Sequence, residues 1–454
     1  MQDLFSELKW RGQVNQTTDD ENLPKFLMEG PKTVYAGFDP TADSLHIGHL
    51  IALTFLRRFQ RAGHKPLALV GGATGMIGDP SGKSAERNLL SAEQIEHNVE
   101  CIKSQMTRFL DFDSPSNKAQ IVNNFDWMGK FTYLEFLRDV GKMFSVNVML
   151  GKDSVKKRIE SDSGISYTEF SYMLIQSYDF VHLYDAYGCQ LQIGGSDQWG
   201  NISTGCELGR RMRGAQFYGL TCPLLTKSDG TKMGKSEGGA LWLDANRTSP
   251  YQFYQYWINI EDADVPKVLK LFSDDSESEI NALIDAHMSD PGKRLGQKEA
   301  ARVITKLVHG DAGLNQAMAA TDIFFGAEIE HLSDSDLTAI FADVPGAEVT
   351  ADELSAGIGI LDAFVKCSLA KSKGEARRTI EQGGAYVNNR RVTDPQMVLN
   401  DSNLASETTI VLRSGKKKYA LLRKKLRVAR GELRENASAH QWLFVVRPHT
   451  DLTD

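Results

Sequence analysis

The chain has 454 residues, 52 Lys and Arg against 59 Asp and Glu, and a formal net charge of −7. That length suits about two to four domains, each able to bury a core. No apolar run approaches the ~18 residues of a membrane span, residues 1–5 (Met-Gln-Asp-Leu-Phe) lack the basic and apolar regions of a signal peptide, and Cys101, Cys189, Cys206, Cys222 and Cys367 show neither CxxC nor zinc spacing, so the expectation is a cytoplasmic protein with reduced thiols and no metal cage.

Residues 33–38 are short, β-branched and aromatic, and read as a strand. Residues 39–44 form a turn and a helix N-cap, and a helix follows to about Arg58. Residues 67–70 are an apolar run before a glycine pair, like a buried parallel strand, and residues 190–193 before Gly194-Gly195 also read as a strand and a glycine turn. Strand, glycine turn and helix in alternation predict a doubly wound, Rossmann-like parallel-sheet α/β domain over 1–230, with its site at the strand C-termini and a helical insertion at about 105–185. Residues 231–247 read as a mobile loop and connection, and 248–330 as an α-helical domain. The acidic stretch 331–357, broken by Pro345 and Gly346, reads as a linker. Basic residues crowd 358–422, a small separate domain that offers a phosphate-binding surface despite the negative total. Residues 423–454 are expected to be a disordered tail.

Several patterns carry chemistry. His46-Ile47-Gly48-His49 puts two imidazoles at i, i+3 where a helix begins, and a helix N-terminus favours anions. Gly48 removes a side chain and leaves room for a nucleotide base. Lys232-Met233-Gly234-Lys235-Ser236 puts two ammonium groups in a Gly/Ser-bearing loop that can close on a departing pyrophosphate. Alone, each is more often a surface charge cluster; their order and context turn the reading toward carboxylate activation by ATP. The segment 78–84 imitates a phosphate-binding P-loop but has three residues between its glycines, not four, and Pro80 interrupts it. Tyr172, Gln176 and Asp179, spaced by four and three, share one helical face: a phenol, an amide and a carboxylate suited to a small zwitterion. Gly194-Gly195-Ser196-Asp197-Gln198 follows a strand and opens with bare backbone.

Together these motifs resemble the class I aminoacyl-tRNA synthetases, and over residues from about 4 to 422 the tyrosyl-tRNA synthetases of bacterial type. The resemblance implies activation of L-tyrosine by ATP to tyrosyl-adenylate, then transfer to the terminal adenosine of tRNA(Tyr), with Mg²⁺ arriving on ATP and a homodimeric enzyme. It implies Thr41, His46 and His49 at the phosphates, Lys83 and Arg87 closing over pyrophosphate, and Lys232, Lys235 and Ser236 in the mobile loop. It places Tyr35 and Asp179 at the substrate phenol and Asp79, Tyr172 and Gln176 at the ammonium. Asn124 supports that pocket, and Gln198 meets the carboxylate or α-phosphate. Asp39, Gly48, His49, Gly195, Asp197 and Lys235 belong with ATP. Ala36 stands where these enzymes usually carry a small polar residue. The stretch 370–378 with 383–388 resembles the S4 RNA-binding module, of α+β class, which implies RNA contacts by Lys371, Lys373, Arg377, Arg378, Arg390 and Arg391. A tryptophanyl-tRNA synthetase shares both signatures, but Tyr35, Asp179 and the basic module argue against it. A nucleotidyltransferase with an HxGH helix, or an RNA binder with a relict site, are rivals from other classes.

Overall fold

The computed structural model describes residues 3–81, 90–160, 164–236, 239–329, 332–341, 344–416 and 418–425, in two compact units, residues 1–318 and 319–454. The first is built on a six-stranded sheet of β1 Gln16–Thr17, β2 Thr33–Phe38, β3 Lys65–Val70, β4 Gln120–Asn123, β5 Leu191–Gly195 and β6 Tyr218–Cys222. The order is β1-β6-β5-β2-β3-β4, parallel except for the antiparallel pairing of β1 with β6. The chain runs outward from β2 through β3 to β4, then returns to lay β5 and β6 on the other side. That reversal opens a crevice beyond the C-terminal ends of β2 and β5. Five of the six residues of β3 and all five of β6 are buried, as expected of strands covered on both faces.

The Ile47–Arg61 helix and the Tyr167–Tyr187 helix flank the crevice. The first buries ten side chains, seven of them in the main core, among them Leu50, Leu53, Phe55, Leu56 and Phe59. The second ends at Gly188, whose φ of +63 forms a left-handed C-cap that a Cβ would strain. The insertion expected at about 105–185 is not wholly helical. Residues 120–123 form β4, parallel to β3, and the helical stretch starts only at Phe125. Four residues are too few to display a strand period, and the neighbour across the sheet decides the conformation.

Four helices follow: Pro250–Ile258, Val265–Phe272, Glu277–Ser289 and Leu295–Phe324. Ser249 with Gln252 and Ser276 with Glu279 make capping boxes at two of the starts. The last run breaks at Gly310, whose φ of +70 is not helical. Between sheet and helices, β7 Lys235–Ser236 and β8 Gly239–Ala240 form a short antiparallel ribbon.

The second unit carries β9 Gly346–Thr350, β10 Ile358–Gly359, β11 Ala385–Val387, β12 Arg390–Arg391, β13 Val398–Leu399, β14 Thr409–Ser414 and β15 Lys418–Lys425. Its main sheet runs β12-β11-β14-β15-β9, with β10 and β13 paired separately. The helices Ile360–Lys366 and Lys373–Glu381 bring Phe364 and Ile380 into its core beside Ile410 and Leu422 of the sheet. Two expectations are corrected here. The stretch 331–357 is no bare linker: it supplies the Asp334–Ile340 and Ala351–Ala356 helices and β9, which pairs in parallel with β15. Only Val349 of β9 is buried, so the strand carries little hydrophobic signal of its own. Arg423, Lys424 and Lys425 are not the start of a tail but the end of β15, opposite Glu348, Val349 and Thr350. The remainder of the expected tail, 426–454, lies outside the described residues.

Candidate active site

The crevice holds a cavity of about 430 Å³ that reaches from Tyr35 on β2 to Lys232 and Met233 in the loop after β6. Its deep end is built by the Tyr167–Tyr187 helix, which Ser166 starts by accepting a hydrogen bond from the Glu169 amide. Tyr172, Gln176 and Asp179 all face the cavity from one side of that helix. The Tyr172 hydroxyl donates to Asp39 Oδ2 at 2.9 Å, and Asp39 Oδ1 accepts from Thr74 Oγ1 at 2.7 Å. Gln198 Nε2 donates to Asp79 Oδ2 at 2.7 Å, while Asp79 Oδ1 accepts from the Ser81 amide. Gln176 Nε2 reaches Gln198 Oε1 at 3.4 Å, so helix, loop and β5 terminus are tied into one polar wall.

Asp179 closes the pocket. Its two oxygens accept from Asn124 Nδ2 at 3.0 Å and Trp127 Nε1 at 2.8 Å. Burial pushes its carboxyl up to about 7, and those two donors only partly oppose the shift. Tyr35, 1 % exposed, packs edge-on against Phe180. Burial, then the Asp179 charge, raise its hydroxyl well above the ordinary tyrosine range; burial and Asp39 do the same to Tyr172. The Tyr35 hydroxyl, Gln176 Oε1 and Gln192 Oε1 are buried without a hydrogen-bond partner. Three orphaned polar atoms lining one cavity are costly unless a polar ligand meets them.

At the other end, His46 is the N-cap of the Ile47–Arg61 helix. Its Nδ1 accepts from the Gly48 amide at 3.0 Å, and the His46 amide donates to His49 Nδ1 at 3.1 Å. The two rings stack with centroids 4.0 Å apart. A Cβ on Gly48 would lie 2.8 Å from His46 Cε1, so the glycine makes room for the histidine ring itself. Thr41 is exposed in the preceding turn. A Cβ on Gly195 would come 2.7 Å from Asp197 Oδ1, and Asp197 stands at the open mouth of the cavity. Partial desolvation there, then the Asp79 charge, raise its carboxyl.

The 232–236 loop is docked on the same helix start. Gly234 has a φ of +82, donates to the Tyr256 hydroxyl at 2.7 Å, and would drive a Cβ to 1.9 Å from Ile47 Cγ2. Leu241 bridges the two: its amide donates to the Gly234 carbonyl and its carbonyl accepts from the Ile47 amide. Lys232 is exposed at the cavity edge; Lys235 and Ser236 form β7. Lys83 and Arg87 lie outside the described residues. Trp127, Gln192 and Trp242 escaped the sequence reading, because a lone tryptophan or a strand glutamine reads as core. Trp242 pairs by backbone with His46, its ring 6.1 Å from that imidazole, under the Arg247 guanidinium at 4.0 Å.

In the second unit, Lys371, Lys373, Arg377, Arg378, Arg390 and Arg391 are all exposed. Lys373 pairs with Asp362 and Arg390 with Glu328. Lys371 precedes the helix rather than lying on it, because Ser372 is the N-cap. Among the described residues no group of three His, Cys, Asp or Glu side chains is placed to hold a metal ion, and no helix is long and apolar enough to cross a membrane.

The family described as tRNA synthetases class I (W and Y) matches residues 28–326, and the tyrosine–tRNA ligase SYY-like C-terminal domain matches 336–422. The chain is 55% identical over 421 residues to a tyrosine–tRNA ligase of Rhodopirellula baltica, covering 92% of this chain and 96% of that one. It is 52% identical over 425 residues to tyrosine–tRNA ligase 1 of Bacillus subtilis, covering 93% and 99%. Its fold is similar to that of a C-terminally truncated mitochondrial tyrosyl-tRNA synthetase of Coccidioides posadasii, with a TM-score of 0.63 and 32% identity, covering 70% of this chain and 92% of that one.

Proposed function

We infer the workings of the site from one premise: the chain belongs to the class I tRNA synthetases and, within them, to the tyrosine–tRNA ligases. Its reaction is the activation of L-tyrosine by ATP to tyrosyl-adenylate and pyrophosphate, followed by tyrosyl transfer to the terminal adenosine of tRNA(Tyr). The roles of individual residues are our proposal. The observation that carries them is the deep end of the cavity, where the buried carboxyl of Asp179 and the partnerless hydroxyl of Tyr35 stand on neighbouring elements.

A substrate phenol donates one proton and accepts another. Asp179 takes the donated proton's hydrogen bond and Tyr35 supplies the other, so phenylalanine leaves the Tyr35 hydroxyl without a partner and denies Asp179 a third donor beside Asn124 and Trp127. Asn124 orients Asp179. Asp79, Tyr172 and Gln176 receive the α-ammonium, and Gln198, already on Asp79, swings to the carboxylate. The carboxylate is ionised at neutral pH and needs no base before it attacks the α-phosphorus. Thr41, His46 and His49 hold the phosphates at the helix start, Asp39, Gly48, Gly195 and Asp197 hold adenosine, and Lys232, Lys235 and Ser236 close with Lys83 and Arg87 on the leaving pyrophosphate. Positioning and charge stabilisation do the work. Mg²⁺ enters with ATP, retaining part of its water shell.

Exposed Tyr133, Leu134, Val146, Val148 and Tyr167 give the insertion an apolar surface that supports a homodimer. The basic side chains of the second unit, Lys371, Lys373, Arg377, Arg378, Arg390 and Arg391, are assigned to tRNA phosphates. The enzyme is assigned to the cytoplasm, where its three substrates meet. Amino-acid-dependent ATP–pyrophosphate exchange without tRNA tests the reading. Exchange with tyrosine and not with phenylalanine or tryptophan, lost in His46→Ala and Asp179→Ala, is the expected result. Equal exchange with phenylalanine sinks the pocket assignment.

A further inference from the structure

We propose that His182 is a positioning residue for tyrosine recognition: its imidazole is the platform that fixes the Trp127 indole, and through it the direction of one of the two donors on Asp179. The inference rests on the reading of Asp179 as the phenol acceptor.

The geometry is local and closed. Trp127 lies on the short Phe125–Met128 helix just after β4, 8 % exposed. Its Nε1 donates to Asp179 Oδ1 at 2.8 Å. The indole lies flat on the His182 ring, with centroids 4.2 Å apart and planes within 16°. His182 is three residues after Asp179 on the Tyr167–Tyr187 helix, so acceptor and platform share one helical face. The indole is therefore clamped at both ends by the same helix. A ring held flat cannot rotate its N–H away from the carboxylate without breaking the stack.

The imidazole's surroundings suit this role. Burial lowers its pKa below the ordinary histidine value, Asp185 opposes the shift and Lys130 adds to it, so the balance favours the neutral ring. Asp185 is itself engaged by Arg213 through two bonds of 2.7 and 2.6 Å. A neutral ring provides a π-stack without placing a second charge beside Asp179. Offset aromatic pairs contribute an increment that corresponds to a roughly two- to tenfold change in an equilibrium.

The test is tyrosine-dependent pyrophosphate exchange in wild type, His182→Ala, His182→Phe, Trp127→Phe and the double variant His182→Ala/Trp127→Phe. Removing the platform is expected to raise the tyrosine KM roughly three- to tenfold with kcat within about twofold, as loss of uniform binding does. His182→Phe is expected to restore the KM, because it keeps a flat ring. With Trp127 already changed to Phe, the second substitution is expected to add less than about twofold, since the shared donor is gone. Multiplicative effects in the double variant, or a wild-type KM in His182→Ala, overturn the proposal. Failure of His182→Phe to rescue a raised KM also overturns it. Absence of tyrosine exchange in the wild type would instead overturn the reading of the site, so the two failures are distinct.

Discussion

Tyrosine binding should depend on pH through Asp179. The free carboxyl titrates at about 7 because it is buried. Below that value it carries a proton and is a poorer acceptor for the substrate phenol. A hydrogen bond from a phenol to a charged carboxylate contributes roughly 1.5–3 kcal/mol. At 1.36 kcal/mol per unit, that lowers the carboxyl pKa in the complex by about one to two units. Affinity for tyrosine should therefore fall roughly five- to tenfold between pH 8 and pH 6, and binding at pH 7 should release about 0.4–0.5 proton. Equilibrium dialysis across pH 6–8 gives the first quantity; calorimetry in two buffers of different ionisation enthalpy gives the second. Asp179→Asn, weak as its binding will be, should lose the slope. A flat affinity in the wild type without proton release refutes the reasoning. A slope that persists in Asp179→Asn assigns the titration to another group.

Gly234→Ala places a Cβ against Ile47 at a positive φ, at a strain of roughly 1–3 kcal/mol, so kcat for pyrophosphate exchange should fall about tenfold or more. Tyrosine affinity measured without ATP should stay within about twofold. Arg158 and Glu169 form an ion pair with side chains 1% and 2% exposed. Glu169→Gln removes the negative charge from this buried pair and should lower unfolding stability by roughly 3–5 kcal/mol in urea titrations, whereas joint replacement by apolar residues should recover most of it. Arg377→Ala with Arg378→Ala should weaken tRNA charging and flatten its salt dependence by about one to two units of slope, while leaving pyrophosphate exchange unaltered; equal salt slopes in variant and wild type would refute the assignment.

What could be read from the chain was what repeats locally. β2, the helix from Ile47 and the Tyr172–Gln176–Asp179 stripe each carry their own period, and the structure brings all three to one cavity. β4 and β9 could not be read, because four or five residues with little apolar signal become strands only beside β3 and β15. Trp127 was hidden for a different reason. Its indole nitrogen matters through Asp179, which lies 52 residues along the chain, and no spacing rule connects them. The glycine of the HxGH motif was legible as a needed absence of side chain, but the neighbouring His46 ring, which lies where its Cβ would point, shows only in the fold.

The sheet order of the second unit also bears on how it is made. β15 lies between β14 and β9, so the last of the described strands to be synthesised occupies an interior place in the sheet. β9 has no other partner in that sheet and must wait for it. At translation speeds of about 5–20 residues per second, the roughly 70 intervening residues leave that edge unpaired for several seconds on the ribosome. Release of an incomplete chain ending before β15 would leave β9 and β14 apart, each with a bare edge open to pairing with other chains. The order of strands thus makes closure of this unit a late event, one that reports that translation has passed Lys425.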